Sequence, residues 1–438
     1  MVIDKLVKIL HTADLHIGED LFTSMGSKAA EERYKDILDS LEQIKQIGVS
    51  ENVDVVLIAG DVFNRVLPSG NASLRFSEFL KFFLDKQIHV IIVRGNHDRP
   101  ANDSASELLK TYRILLSRTQ ENYFHYLGKI EGIVIQTRDK KSVGFVALPY
   151  YPVELEYEGV KDAEEIFQRA KDAQRQARVD EIKKEIFMRV EGERAKLKAD
   201  YYILGAHIPI IGSIPGSERR FYGSRNEITY AANEVCRLPF DYIALGHFHI
   251  MQKVGSDNCW YSGSVFRLTF DEPSYIDGRR LSKSEKGVII VEEKDGKLSP
   301  KITPIKTRDM CLVRLNLLNR TPNTTIINTE EILDLIVKKC PIDEPTKGPC
   351  VKVEVRLPNT MRKTFDRYTL EQELLKRGYL HVKIEVISEE TETPQAVSKS
   401  LPVKEALPKY IRSIDIPQAL KEEVVKEALE IIDEVMKE

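Results

Sequence analysis

The sequence predicts an α/β fold, with its chemistry gathered where buried strands end. Two runs carry the prediction: Val53-Asp-Val-Val-Leu-Ile-Ala59 and Ile88-His-Val-Ile-Ile-Val93 are short, apolar and rich in β-branched residues. Such runs, bounded by glycine, read as strands covered on both faces. Each delivers a polar cluster, Gly60-Asp61-Val-Phe-Asn64 and Gly95-Asn96-His97-Asp98. Open α/β sheets collect their ligands at the carboxyl ends of strands. A glycine before a carboxylate or carboxamide suits a sharp turn that faces the side chain into a cleft.

A length of 438 residues exceeds what one core usually spans, so two or three domains are expected. A composition of 42% hydrophobic and 30% charged residues excludes collagen-like and wholly disordered chains. No apolar run is long enough to cross a bilayer and Met1-Val-Ile-Asp-Lys5 lacks a signal-peptide pattern, so a cytoplasmic location with no membrane role is expected. Cys236, Cys259, Cys311, Cys340 and Cys350 include no CxxC pair. Neither a zinc ribbon nor a disulfide framework is expected, and all are read as reduced thiols. The net charge of −3 gives no general pull toward nucleic acid, so any such surface must be a local patch.

In chain order, Leu6–Leu10 reads as a strand opening onto His11-Thr-Ala-Asp14-Leu-His16. A helix follows over Ala29–Ile47, with Tyr34, Ile37, Leu38, Leu41 and Ile44 on one face. The helix Asn71–Lys86 between the two strands is apolar on more than one stripe. It is either deeply buried or meets another subunit together with Leu108, Leu109, Tyr112, Leu115 and Leu116. Val143–Leu148 is a strand, 162–200 a charged helical region, and Tyr201–His207 a strand ending in histidine. The loop 211–227 is rich in glycine, serine and arginine; the strand Asp241–Leu245 then ends in Gly246-His247-Phe-His249, and Trp260–Ser264 closes the unit. After Tyr275 a small α+β domain is expected, with strands at Val288–Glu293, Cys311–Leu317, Val351–Leu357 and His381–Ser388 and helices at Glu330–Lys339 and Leu370–Arg377. The polar stretch 389–402 reads as a linker. The tail 403–438 holds two amphipathic helices, one carrying Val403, Ala406, Leu407, Tyr410 and Ile411, the other Leu420, Val424, Ala428, Ile431 and Val435.

Strand ends therefore supply Asp14, His16, Asp61, Asn96, His97, His207, His247 and His249. Imidazole with carboxylate suits Mn²⁺, Fe²⁺ or Zn²⁺ rather than Ca²⁺. One ion takes three or four protein ligands, so the candidates besides His97 suit two ions sharing an aspartate. Paired ions ~3.5–4 Å apart serve phosphoryl chemistry. A lone histidine at a strand is more often a satisfied polar group, and His11, His89, His125 and His381 are read that way.

Asp14-x-His16, Gly60-Asp61-x-x-Asn64, Gly95-Asn96-His97-Asp98, His207 and Gly246-His247-x-His249 resemble the motifs of the calcineurin-like metallophosphoesterase superfamily. Pro68-Ser69, Arg99-Pro100, Tyr261-Ser-Gly-Ser264, the small domain and the helical tail extend the likeness to the Meiotic Recombination Eleven family of double-strand-break repair nucleases, archaeal type and related to SbcD. The resemblance implies an αββα sandwich with two central sheets over 1–274, a capping DNA-binding domain over 275–388, and partner-binding helices over 403–438. It implies that Asp14, His16, Asp61 and His249 hold one Mn²⁺ and that Asp61, Asn96, His207 and His247 hold a second. Mg²⁺ or another divalent ion is the alternative. His97 resembles the catalytic histidine, with Asp98 either orienting it or capping a turn. At the position of Asn64 this nuclease branch often carries histidine, which orients substrate or His97; asparagine hydrogen-bonds but does not titrate.

DNA contact is expected from Asn64, Arg65, Arg99, Arg219, Arg220 and Arg225 in loops beside the motifs, since phosphate neutralisation dominates nucleic-acid affinity. The implied activity is 3′–5′ exonuclease and single-strand or hairpin endonuclease action by a nucleoid-associated homodimer. Its partner would be an ABC-type coiled-coil ATPase docked by the tail helices, which could otherwise fold back as a cap. The rivals are a metallophosphoesterase of another substrate class and a DNA-end tether with weak nuclease activity. Release of nucleotides from linear duplex separates the first, and loss of turnover on substituting His97 separates the second.

Overall fold

The computed structural model describes residues 6–99, 108–151, 166–220, 227–281, 285–318, 329–342, 347–358, 361–362, 365–388 and 425–426. Its strands are β1 (Lys8–Thr12), β2 (Val55–Ala59), β3 (His89–Val93), β4 (Phe124–Leu127), β5 (Gly132–Gln136), β6 (Ser142–Leu148), β7 (Tyr201–His207), β8 (Tyr242–Gly246), β9 (Gln252–Lys253), β10 (Cys259–Tyr261), β11 (Tyr275–Ile276), β12 (Arg279–Arg280), β13 (Gly287–Lys294), β14 (Lys297–Pro304), β15 (Met310–Asn316), β16 (Cys350–Leu357) and β17 (His381–Ser388). They form two six-stranded sheets, β14-β13-β1-β2-β3-β4 and β5-β6-β7-β8-β10-β9, and a five-stranded sheet, β12-β11-β15-β16-β17.

Alternation along each strand decides the layers, because successive side chains point to opposite faces. Val55, Leu57, Ile91 and Val93 of the first sheet meet Phe145, Ala147, Ile203 and Ala244 of the second in a core between the sheets. Val56, Ile58, Val90 and Ile92 point the other way, toward helices. There they pack on Tyr34, Ile37, Leu41 and Ile44 of the helix Ser27–Ser50 and on Phe76, Phe79 and Phe83 of the helix Gly70–Leu84. The helix Ile166–Lys196 covers the second sheet through Val179, Ile186 and Val190. The result is the αββα sandwich with two central sheets. The phenylalanines of Gly70–Leu84 face the core, while Leu74 is left 52% exposed. The helix is therefore buried on its dominant face, as the first of the two readings expects.

One strand departs from the expected domain order. Val288–Glu293, assigned above to the small domain, lies in β13, which pairs antiparallel with β1 in register Ile9↔Val291. The run Val288-Ile-Ile-Val291 is buried throughout, so it needs a sheet covered on both faces, and the edge beside β1 offers one. The chain therefore leaves the sandwich after β10, forms β11 and β12, and returns before its second departure at β15. The helices Thr329–Lys339 and Arg367–Lys376 pack on the five-stranded sheet, close to the expected bounds.

The cysteine reading is corrected in part. Cys311 of β15 and Cys340 form a disulfide. They stand 29 residues apart, so no spacing rule exposes the pair; the packing of the helix end against the strand creates it. Cys236, Cys259 and Cys350 are free thiols. The linker 389–402 and the tail helices lie outside the described residues, apart from 425–426.

Leu57 is buried where the two sheets face each other. Leu57→Ala is expected to lower the unfolding free energy by about 2–5 kcal/mol, read from the urea midpoint at constant slope.

Candidate metal centre

The ends of β1, β2 and β3 in one sheet and of β7 and β8 in the other converge on a single cleft. Beyond its strand the β1 end rides on the β2 end: Asp14 N donates to Gly60 O at 3.0 Å and His16 N to Asp61 O at 3.1 Å. Across the seam the approach is close enough to demand glycine. A Cβ on Gly246 would lie 1.8 Å from Ala59 O, and one on Gly60 would lie 2.1 Å from His207 Nδ1. Asp14 (φ 52°), His16 (φ 40°), Asp61 (φ 54°) and His247 (φ 104°) all have positive φ. Such conformations cost about 1–3 kcal/mol each and persist where the surroundings over-determine them.

Asp61 is the hub. Its Oδ2 lies 3.6 Å from His16 Nε2 and 3.5 Å from His207 Nε2. On one side His16 Nε2 faces His249 Nε2 at 3.1 Å, and Asp14, His16 and His249 bring their ligand atoms together. On the other side Asn96 Oδ1 stands 2.9 Å from His207 Nε2 and 3.2 Å from His247 Nδ1. Asp14, Asp61 and His207 form a further group able to hold an ion, as do His16, Asp61 and His97.

The imidazoles are presented through one nitrogen each. His207 Nδ1 donates to Ala59 O at 2.8 Å, which turns Nε2 toward Asn96 and Asp61. His247 Nε2 is 3.0 Å from Glu227 Oε1, leaving Nδ1 toward Asn96. His249 Nδ1 faces Ser217 Oγ, Glu218 Oε2 (3.3 Å) and Glu272 Oε1 (3.4 Å), leaving Nε2 toward His16. Nitrogens ligating one ion at about 2.0–2.1 Å stand roughly 3 Å apart, so the His16–His249 separation fits a shared cation.

Electrostatics agree. Burial lowers the pKa of His207, yet Asp61 and Asp14 push it up to about 9. His249 is likewise lowered by burial but raised to about 9 by Glu272, Glu218 and Asp14. Burial raises Asp14. Burial also opposes ionisation of Asp61, but His207, His97 and His16 hold it well below the carboxylate range. Both histidine shifts have one cause, the carboxylates crowded into the cleft.

The structure thus brings together every metal-site residue expected from sequence: Asp14, His16, Asp61, Asn96, His207, His247 and His249. His97 stands beside them, its ring 4.8 Å from that of His16 and its N donating to Asp61 Oδ1 at 2.9 Å. His11 is, as expected, a satisfied core group, bonded to Tyr242 Oη and Leu245 O. Asp98 does not orient His97. It accepts from Val62 N, Phe63 N and Gly95 N and so ties two motif turns together. His97 Nδ1 donates instead to the backbone oxygen of Asn64 at 2.8 Å. The Asn64 side chain donates to Asp20 at 3.1 Å, and Arg65 pairs with the same carboxylate. Arg99 follows the third motif; Arg219 and Arg220 lie on the turn Ser217–Arg220, and Arg225 is outside the described residues. Sequence reasoning missed Glu218, Glu227 and Glu272, which carry no motif; only their burial beside histidines reveals them.

Residues 7–251 match the family model described as calcineurin-like phosphoesterase. The chain belongs to this family. It is a metal-dependent phosphoesterase, and the divalent ions of such a fold have a fitting set of donors here. Among curated relatives, the phosphoesterase is 27% identical over 297 residues to the SbcD component of the SbcCD nuclease of Bacillus subtilis (strain 168), covering 66% of this chain and 67% of that protein. It is 25% identical over 291 residues to the SbcD component of the SbcCD nuclease of Staphylococcus epidermidis (strain ATCC 12228 / FDA PCI 1200), covering 65% and 68%. A dimetal phosphatase from Danio rerio is a solved structure with 12% identity and a TM-score of 0.33, covering 69% of this chain and 100% of that one.

Imidazoles that ligate a metal must be neutral, so an ion bound through His207 and His249 would release their protons. Their raised values mean that protonation favours the metal-free fold fully below about 6.5, a contribution lost as pH rises through about 9. Metal affinity moves oppositely. Titration calorimetry with Mn²⁺ in buffers of different ionisation enthalpy is expected to show tighter binding at pH 8.5 than at pH 6.5, with net proton release at both.

Proposed function

We propose that this phosphoesterase is a two-Mn²⁺ DNA nuclease, with 3′–5′ exonuclease and single-strand or hairpin endonuclease activity, acting on double-strand breaks. The observation that carries the reading is Asp61, placed almost equally far from the His16 and the His207 halves of the site. Asp14, His16, Asp61 and His249 would hold one ion, and Asp61, Asn96, His207 and His247 the other. Mg²⁺ or another divalent ion is the alternative occupant. Bound there, the ions would polarise the phosphoryl oxygens and make water nucleophilic near neutral pH. The two relatives named as nuclease components support DNA as substrate.

His97 is assigned the proton transfer. A carbonyl oxygen only accepts, so the bond to Asn64 O fixes the proton on Nδ1 and leaves Nε2, when protonated, to donate to the departing 3′ oxygen or to stabilise the charge on the phosphorane. Because a backbone oxygen orients it, His97 does not depend on which side chain stands at position 64. Asn64, Arg65, Arg99, Arg219, Arg220 and Arg225 are assigned to DNA phosphates. Each relative is one component of a larger nuclease, which supports a partner; we assign that role to an ABC-type coiled-coil ATPase docked on 403–438. We place the capping, DNA-binding role in the domain built on β15–β17, and the protein in the archaeal cytoplasm beside the nucleoid.

A homodimer is supported by an apolar patch, with Leu74 52%, Ile114 83% and Leu115 80% exposed on neighbouring helices. Leu115→Arg is expected to convert a dimer to monomer in light scattering after size exclusion. The nuclease reading is tested with blunt and hairpin DNA in Mn²⁺, Mg²⁺ or chelator. His97→Ser is expected to cut the Mn²⁺-dependent rate by about 10²–10⁴-fold while keeping Mn²⁺ and DNA binding. Turnover of a cyclic nucleotide or phosphopeptide in place of DNA would sink the substrate assignment.

A further inference from the structure

Glu272 and Lys286 stand at the two points where the chain leaves the sandwich for β11–β12 and comes back to it. They meet at the base of that excursion: Lys286 Nζ lies 2.6 Å from Glu272 Oε2, with both side chains out of contact with water (2% and 0% exposed). The pair grips the metal centre. Lys286 Nζ donates to His249 O at 2.8 Å and to Ser264 Oγ at 2.7 Å. The second oxygen of Glu272 accepts from Ser217 N at 3.0 Å and lies 3.4 Å from His249 Nδ1. Two residues beyond Glu272, Ser274 is stitched to the small domain, with Ser274 N donating to Met310 O at 2.8 Å and Met310 N to Ser274 Oγ at 3.0 Å. From there β11 pairs with β15, Tyr275 opposite Cys311.

We propose that the Glu272–Lys286 pair is a clamp that couples seating of the five-stranded domain to the orientation of His249, so that both are positioning residues for the metal centre. A buried ion pair is costly to desolvate and is often no more stabilising than apolar residues of the same volume, so its placement calls for a role besides stability. A carboxylate behind a ligating imidazole fixes the ring and the tautomer. Reciprocity follows: if domain seating orients His249, an ion on His249 must favour domain seating by the same factor. Ser217 and Glu218 also face His249 Nδ1. If they suffice, Glu272 is merely structural, and that is the alternative to be tested.

The inference rests on the metal centre proposed above. The full-length chain is compared with Glu272→Gln and with the double variant Glu272→Gln/Lys286→Met, which removes both charges at similar volume and keeps the test open should the single variant not fold. Mn²⁺ affinity is measured by calorimetry and by the EPR signal of free Mn²⁺. Amide exchange over 275–280 is followed with and without Mn²⁺. The wild-type chain is expected to show slower exchange there when Mn²⁺ binds. The variants are expected to lose about 10–100-fold in affinity at one site, with the metal-free melting temperature of the double variant unchanged and Mn²⁺ no longer altering exchange. Wild-type affinity in the variants overturns the positioning role, and persistent Mn²⁺ protection of 275–280 in them overturns the coupling. Absence of Mn²⁺ binding by the wild-type chain overturns the metal centre and the clamp together.

Discussion

Asp61 sits where two sheets meet, and the arrangement around it depends on how closely they approach. Its carboxylate faces imidazoles from both sides of the seam, His16 from the first sheet and His207 from the second. That geometry requires backbone, not side chain, at the contact points, which is why Gly60 and Gly246 leave no room for a Cβ. The core of alternating Val, Leu, Ile and Ala between the sheets therefore sets the site as well as the stability.

The turns leaving β1, β2 and β8 hold Asp14, His16, Asp61 and His247 at positive φ. Hydrogen bonds to Asp98 from the turns after β2 and β3, and to Asp14 from His247 N, keep them there. Around this strained shell lies a second layer of acceptors. Ala59 O, Glu227 and the Ser217–Glu218–Glu272 group each take one imidazole nitrogen and so choose the nitrogen that faces the cleft. The carboxylates crowded around the cleft raise the pKa values of His207 and His249 against the opposing effect of burial.

The excursion through β11 and β12 changes how the second domain relates to the first. Three chain crossings join them instead of one linker, and the first two are tied together at their base by a buried ion pair touching a site histidine. The small domain has its own core and an internal disulfide between Cys311 and Cys340. Its strand β11, between β12 and β15, is the part nearest the metal centre along the chain.

The α/β layering and the strand-end positions of Asp14, His16, Asp61, Asn96, His97, His207, His247 and His249 were legible in the sequence. Buried strands must be apolar on both faces, and sharp turns after them favour glycine followed by a polar group. Local patterns of this kind survive folding because each rests on a few neighbouring residues. The tertiary structure alone decided what depends on distant segments meeting. β13 joined the sheet beside β1 because an apolar run seeks any open, covered edge. Cys311 found Cys340 across 29 residues, and a backbone oxygen at Asn64 took the role that Asp98 was a candidate for. Glu218, Glu227 and Glu272 became partners of histidines with no motif to announce them, since a carboxylate's partner is set by distance in space, which one-dimensional spacing does not encode.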